Sequence, residues 1–294
     1  MDLVNLNIDF VIPLHRANPI FRSTVEAVSK FYSPPTIYII TPFSEIEKIN
    51  WENWDIGYTN IVCISEDLFF EPVSKSDLEM MYTKIDENSR EFGWWYQQIL
   101  KFGASIRIPD ISEPYMVWDS DLIPLKRWEI YPTEEYPYYR FAILQEAARS
   151  QWNQSEYKKS ILQLTGLDAL EPTEGTFVPH HFIMYKSVLQ ELFDLIERRS
   201  GKPWYISIIS LSKNFSRFSE YKCLATFMSE KKPELFHYHE FQHFGNGQRF
   251  RESREILEEI MVLVSGNDVP YNTILEYVKK KWDHIPTYIQ LEHL

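Results

Sequence analysis

The sequence has 294 residues, 44% of them hydrophobic and 16% aromatic, enough to bury a sizeable core as one large domain or one domain with a small appendage. A formal net charge of −12 excludes the basic footprint of a non-specific nucleic-acid binder, which gains affinity by releasing counterions from phosphates. Cys63 and Cys223 lie far apart in apolar runs, so they read as small buried hydrophobes in a reducing, cytoplasmic setting and exclude a disulfide framework.

Residues 1–7 lack a basic segment leading into an apolar core, and no stretch is long enough to span a bilayer, so a soluble chain without a transmembrane segment is expected. Residues 8–14 (IDFVIPL) form an apolar run that reads as a first buried strand, with His15 and Arg16 at its end. Phe21, Val25, Val28 and Phe31 have helical spacing, and Ser33-Pro34-Pro35 breaks that helix. Residues 36–41 (TIYIIT), stopped by Pro42, and 60–65 (NIVCIS) read as two further strands. Strand, helix and strand at this density predict parallel βαβ units, whose ligands bind at the C-terminal ends of the strands. That topology places Pro13, His15 and Thr41 beside a binding crevice.

Ser76-Asp77-Leu78-Glu79 has the capping-box pattern and predicts a short helix. Over 90–102 (REFGWWYQQILKF) a second helix would carry Trp94, Gln97, Gln98 and Lys101 along one side and Trp95, Ile99 and Phe102 along the other. An indole, two amides and an ammonium on one face suit a base or sugar, with Lys101 near a phosphate; a half-exposed helix packing its tryptophans is the alternative.

That helix leads into Tyr115-Met116-Val117-Trp118-Asp119-Ser120-Asp121, flanked by Pro114 and Pro124, which reads as a buried strand ending in two carboxylates. Two such carboxylates at the mouth of a sheet repel each other unless a cation sits between them. Hard oxygen ligands suit Mg²⁺ or Mn²⁺, which in turn hold nucleotide phosphates. Asp119 and Asp121 are therefore candidate metal ligands, with Trp118, Asp119 and Ser120 beside the nucleotide; a strand ending in a polar turn is the plain alternative.

Residues 136–144 are expected to include a strand, 155–165 a helix, and 176–185 a strand-like run broken by Pro179-His180-His181. Adjacent histidines point to opposite sides of an extended chain, so at most one of His180 and His181 faces the crevice. Residues 187–199 and 220–228 read as helices. Glu220, at the start of the second, is either a favourable first-turn acid or a general base for a sugar hydroxyl. Residues 235–244 (LFHYHEFQHF) read as a last strand with His237 and His239 on one face, followed by a Gly245-Asn246-Gly247 turn. An imidazole from there, His239, would complete the metal site, with a zinc site on three histidines as the competing idea. Helices over 252–264 and 273–282, separated by 266–270, look like a C-terminal cap. The expected division is 1–250 as the main domain and 251–294 as a helical extension packed on it.

The Ile12-Pro13 strand end, the GWWYQQILKF helix, the Asp-Ser-Asp strand, the Pro-His-His run and the Phe218-Ser219-Glu220-Tyr221 helix start occur together in this order. Together they resemble metal-dependent GT-A-fold glycosyltransferases, and in particular a poorly characterised bacterial and large-DNA-virus (chlorovirus-like) family. The resemblance implies a Rossmann-like, mostly parallel α/β sheet flanked by helices. It implies Mn²⁺ or Mg²⁺ on Asp119 and Asp121, and a nucleotide-sugar donor, by family habit a UDP-sugar, near Gln97 and Lys101. It also implies a glycan acceptor near His181 or His180 and Glu220, and inversion if Glu220 lies behind the anomeric carbon. Lys222 stands where the family has a second acid. A viral source would put the enzyme in the host cytoplasm. The competing readings are a nucleotidyl- or phosphoryl-transfer enzyme using the same aspartates, disfavoured by the lack of a Gly-rich phosphate loop, and a non-catalytic carbohydrate-binding protein.

Overall fold

The computed structural model describes residues 8–85, 91–144, 151–244, 247–250, 254–264 and 268–292. The leader-free reading of 1–7, the helix start at Arg90, the Gly245-Asn246 turn, the helix start at Glu252 and the linker start at Gly266 lie outside the described residues. The elements run β1 (Phe10–Pro13), α1 (Phe21–Tyr32), β2 (Thr36–Thr41), α2 (Phe43–Ile46), β3 (Asn60–Ser65), α3 (Lys75–Ile85) and α4 (Phe92–Arg107). They continue with β4 (Tyr115–Trp118), β5 (Leu122–Pro124), β6 (Phe141–Ala142), α5 (Gln151–Thr165), β7 (His181–Met184), α6 (Lys186–Ser200), α7 (Trp204–Ser210) and α8 (Glu220–Lys231). The chain closes with β8 (Tyr238–His239), β9 (Gln248–Phe250), α9 (Arg254–Met261), α10 (Tyr271–Lys281) and β10 (Tyr288–Leu291).

The fold is mixed α/β around a five-stranded sheet of order β3-β2-β1-β4-β7. β1 pairs parallel with β2 and β4, β2 pairs parallel with β3, and β7 runs antiparallel to β4. β1 is buried at all four residues, as expected of a central strand covered by helices on both faces. The chain moves outward from β1 to β3 and then returns to the other side with β4. The C-terminal ends of β1 and β4 therefore form the switch point where open α/β sheets bind ligands.

α1 ends where the sequence breaks it: Ser33 turns left-handed (φ 44°), its N–H donates to the Ser29 carbonyl, and two prolines follow. At the start of α3 the reciprocal cap is Ser74 with Asp77, two residues before the expected Ser76. Ser74 N donates to Asp77 Oδ2 at 3.0 Å and Asp77 N to Ser74 Oγ at 3.1 Å.

Two expectations need correction. Residues 235–244 do not form a strand of the main sheet. They turn through short 3-10 segments around the two-residue β8, which pairs with β6, so His237 and His239 do not share a strand face there. The C-terminal segment is not purely helical either. After α10, β10 pairs antiparallel with β5 and parallel with β9 in a second, three-stranded sheet. α9, α10 and β10 bury a second apolar cluster that includes Ile123, Ile260, Ile274 and Ile289 and reaches Ile20 and Ala27 at α1.

Candidate active site

The turn from β4 to β5 carries Asp119-Ser120-Asp121, and its backbone is tied down on every side. Asp119 N donates to the His180 carbonyl (2.8 Å), Leu122 N to the Asp119 carbonyl (3.2 Å), and Leu291 N to the Asp121 carbonyl (3.3 Å). Thr24 Oγ1, from α1, donates to the Ser120 carbonyl at 2.8 Å, and the Trp118 indole N–H to the Leu122 carbonyl at 2.7 Å. Trp118 is fully buried, so it closes the turn from behind; the expected nucleotide contact gives way to that supporting role.

Asp119 is the electrostatic centre. Lys101 Nζ, from α4, sits 2.8 Å from Asp119 Oδ1 and 2.7 Å from Glu220 Oε1, with the Tyr221 ring 4.4 Å away. Tyr221 OH donates to the same Asp119 oxygen at 2.8 Å, and His180 Nδ1 lies 2.9 Å from Oδ2. Burial pushes the Asp119 carboxyl up, but Lys101 and His180 outweigh it and hold the group well below the carboxylate range. Burial likewise opposes charge on Lys101, and its two carboxylates hold the ammonium above its ordinary value. Breaking such a buried pair strands the remaining charge, which costs about 3–5 kcal/mol.

Asp121 is the opposite case. Its carboxylate has, among the described residues, the neutral amide of Gln290 as donor, Nε2 to Oδ1 at 3.2 Å. Burial and the charge of Asp119 push its pKa up to about 6. Gln290 is itself buried, and its Oε1 has no hydrogen-bond partner among the described residues. Two carboxylates, one of them reluctant to ionise, beside an orphaned amide oxygen fit a hard divalent cation that keeps waters and substrate phosphates as its other ligands.

The remaining candidates take different places. His180, with φ 61° in the sparsely populated left-handed region, aims its imidazole at Asp119. His181 points away: it is fully buried, Nδ1 donates to the Pro179 carbonyl, and Nε2 accepts from Ala142 N at 2.9 Å. The acceptor contact expected of His181 is therefore corrected, because both ring nitrogens already hold backbone groups. Glu220 caps no substrate-facing surface; it is 1% exposed and bonded to Lys101. His239 lies away from the aspartates, with Nε2 bonded to the Glu129 carbonyl at 2.8 Å and its ring against His243 and Phe244. Among the described residues no three His, Cys, Asp or Glu side chains gather as a metal cluster, so His239 does not complete the pair.

Pro13 and Thr41 end β1 and β2 at the switch-point edge, with His15 exposed just beyond. Thr41 Oγ1 is buried without a hydrogen-bond partner among the described residues. On α4, Trp94 and Gln97 are half-buried while Gln98 and Lys101 are buried, so the mixed face turns partly inward. Arg217 lies 5.4 Å over the Trp94 ring. Sequence reasoning missed Tyr221, Thr24 and Gln290 as partners of the turn. No local pattern around residues 288–291 (YIQL) singled out Gln290.

Among solved structures, the chain resembles mouse xyloside xylosyltransferase 1 (9% identity, 97% of each chain covered, TM-score 0.42). It also resembles the PaToxG glycosyltransferase (12% identity, 77% of this chain and 70% of that one, TM-score 0.37). A third is an active-site mutant of LgtC (9% identity, 98% and 88%, TM-score 0.42). No curated protein matches the sequence. Residues 7–257 match the family of unknown function DUF6492, and with most of its length inside that match the chain belongs to this family.

Proposed function

We propose that the protein is a metal-dependent glycosyltransferase that moves a sugar from a nucleotide-sugar, a UDP-sugar by preference, to a hydroxyl of a glycan acceptor. The observation that carries this reading is the pinned Asp119-Ser120-Asp121 turn at the sheet's switch point, with Asp121 held at about 6 and lacking a cationic partner among the described residues.

Asp119 and Asp121 would hold Mg²⁺ or Mn²⁺, which when bound supplies the neutralisation of a departing nucleoside diphosphate. Lys101 orients and anchors Asp119, so the first ligand is in place before substrate arrives. Glu220 in turn holds Lys101, and Tyr221 restricts the carboxylate to one rotamer. With Glu220 so engaged, the proton-accepting role and the inverting outcome inferred from it have no free carboxylate to rest on. His180 is the histidine that takes the acceptor-side place, its ring oriented by Asp119.

Thermal unfolding with UDP and with GDP, each with and without Mn²⁺, tests the reading. A UDP stabilisation that requires Mn²⁺ and disappears in Asp121→Asn is expected, on the order of 2–3 kcal/mol at a hundredfold excess over the dissociation constant. Absence of any nucleotide shift in the wild type would overturn it.

A further inference from the structure

A cleft of about 940 Å³ opens on the side of Trp128 that faces residues 236–244. Trp128 packs on Trp118, with ring centroids 5.2 Å apart, so one aromatic layer separates the cleft from the end of β4. In a chain of net charge −12, its lining gathers Lys126, Arg127 and Arg140, opposed by Glu129 and Glu240.

Arg140 is the unusual member. It is 6% exposed, and its Nε and Nη2 have no hydrogen-bond partner among the described residues. These two nitrogens form one edge of the guanidinium, the fork that a planar carboxylate accepts with two parallel bonds. The Tyr136 ring covers the guanidinium at 4.6 Å. The Glu129 carboxylate reaches only to 3.6 Å from Nη2, too far for a hydrogen bond, and its side chain is 68% exposed. A buried cation with an unpaired fork closed off from water is an expensive arrangement unless something completes it. Beside it, Tyr138 stacks on His237 (centroids 4.0 Å, 15° between planes) and remains 48% exposed, leaving an outward aromatic face of the kind that stacks on a sugar ring.

We propose that this cleft binds a carboxylate-bearing sugar, a uronate unit of an acidic glycan, with Arg140 taking the carboxylate and Tyr138 the sugar face. Naming the ligand a sugar rests on the glycosyltransferase reading; the unpaired guanidinium edge does not. Two donors on one edge match the two oxygens of a carboxylate. Tyr136 and Glu129, both exposed, swing aside as the carboxylate enters.

Calorimetry with tri-galacturonate, its carboxyl-reduced neutral form and a sulfated neutral trisaccharide tests the proposal. The wild type is expected to bind the acid about tenfold or more tightly than the reduced form, and Arg140→Gln to erase that difference. If Arg140→Gln does not fold, Glu129→Gln decides: removing the exposed competitor for Arg140 should tighten acid binding several-fold, and weaker or unchanged binding counts against the site. Equal affinity for acid and reduced forms, no binding of either, or equal binding of the sulfated sugar would overturn it. The Mn²⁺-dependent UDP shift, measured on the same protein, separates the two readings. Loss of that shift removes the glycosyltransferase assignment alone, and carboxylate indifference with the shift intact removes this one alone.

Discussion

Asp121 is held in a place that raises its proton affinity, and the sign of that effect separates its structural from its functional role. Its pKa in the fold is pushed up to about 6 by burial and by Asp119, above the 3.8 of a free aspartate. The folded state therefore binds the proton more tightly than the unfolded chain, and the stability this gives is present below the ordinary value and lost as pH rises through about 6. Asn has the same shape and keeps an acceptor for Gln290. Asp121→Asn should thus stabilise the nucleotide-free protein at about pH 7.5 by roughly 1–3 kcal/mol, with the gain fading below about pH 4. A lowered midpoint in urea at the higher pH would contradict the account. His181 runs the other way. Burial pulls its pKa down to about 3 from 6.5, so the fold resists its protonation, and stability present above 6.5 is lost as pH falls toward 3. The two slopes oppose each other between about pH 4 and 6. In the Asp121→Asn background the opposing Asp121 contribution is gone, so between about pH 6 and 4 urea midpoints should fall more steeply on acidification than in the wild type. An unchanged slope would contradict the raised pKa of Asp121.

At the scale of elements, the C-terminal strand ties the second sheet to the aspartate turn through Gln290 and Leu291. Its packing leaves no room at Gly247, where an added Cβ would lie 1.9 Å from the ring of Tyr288, itself 1% exposed. Gly247→Ala should cost about 1–3 kcal/mol by overpacking. It should also weaken Mn²⁺-dependent nucleotide binding, because β10 then shifts Gln290 away from Asp121; unchanged stability would show that the ring gives way freely. The sequence showed the first three strands and α1 clearly, because long apolar runs there stop at prolines and each element buries a face of its own. β10 stayed hidden because it is four residues long and, among the described residues, pairs only with the three-residue β5 and with β9. Residues 235–244 misled in the opposite sense: aromatic and histidine alternation looks like a strand, but Pro233 and the turn hydrogen bonds fold it back on itself. Within the site, Asp119, Asp121 and Lys101 were legible because they lie on neighbouring elements joined by a short connection. The Lys101–Glu220 and Asp121–Gln290 pairs span 119 and 169 residues, and no local pattern tells which distant group a buried charge will find.

Across the whole molecule, α1 decides whether the C-terminal segment is an appendage or part of one unit. Phe21, Val25 and Val28 belong to the main core, while Ala27 on the same helix, with Ile20 at its N-terminal cap, belongs to the second cluster with Ile123, Ile274 and Ile289. Polar ties follow the same route. The buried Glu26 carboxylate accepts the Asp55 N–H at 3.0 Å and the Tyr271 N–H at 2.8 Å, tying the start of α10 to the loop before β3. Ser23 Oγ donates to the Val269 carbonyl. A cut after residue 250 would expose Ile20 and Ala27 at α1 and Ile123 and Leu125 around β5, area that water penalises at about 25 cal/mol per Å². The two sheets should therefore unfold in one cooperative step. Trp118 and Trp128 report on the main core and Trp282 on the second cluster, so fluorescence of wild type and of Trp282→Phe gives two views of the same urea titration. Coincident transitions from both, overlaying far-UV circular dichroism, are expected. An early phase that disappears in Trp282→Phe would mean that the C-terminal segment detaches on its own. The aspartate turn would then lose Gln290 and Leu291 well before the fold itself is lost.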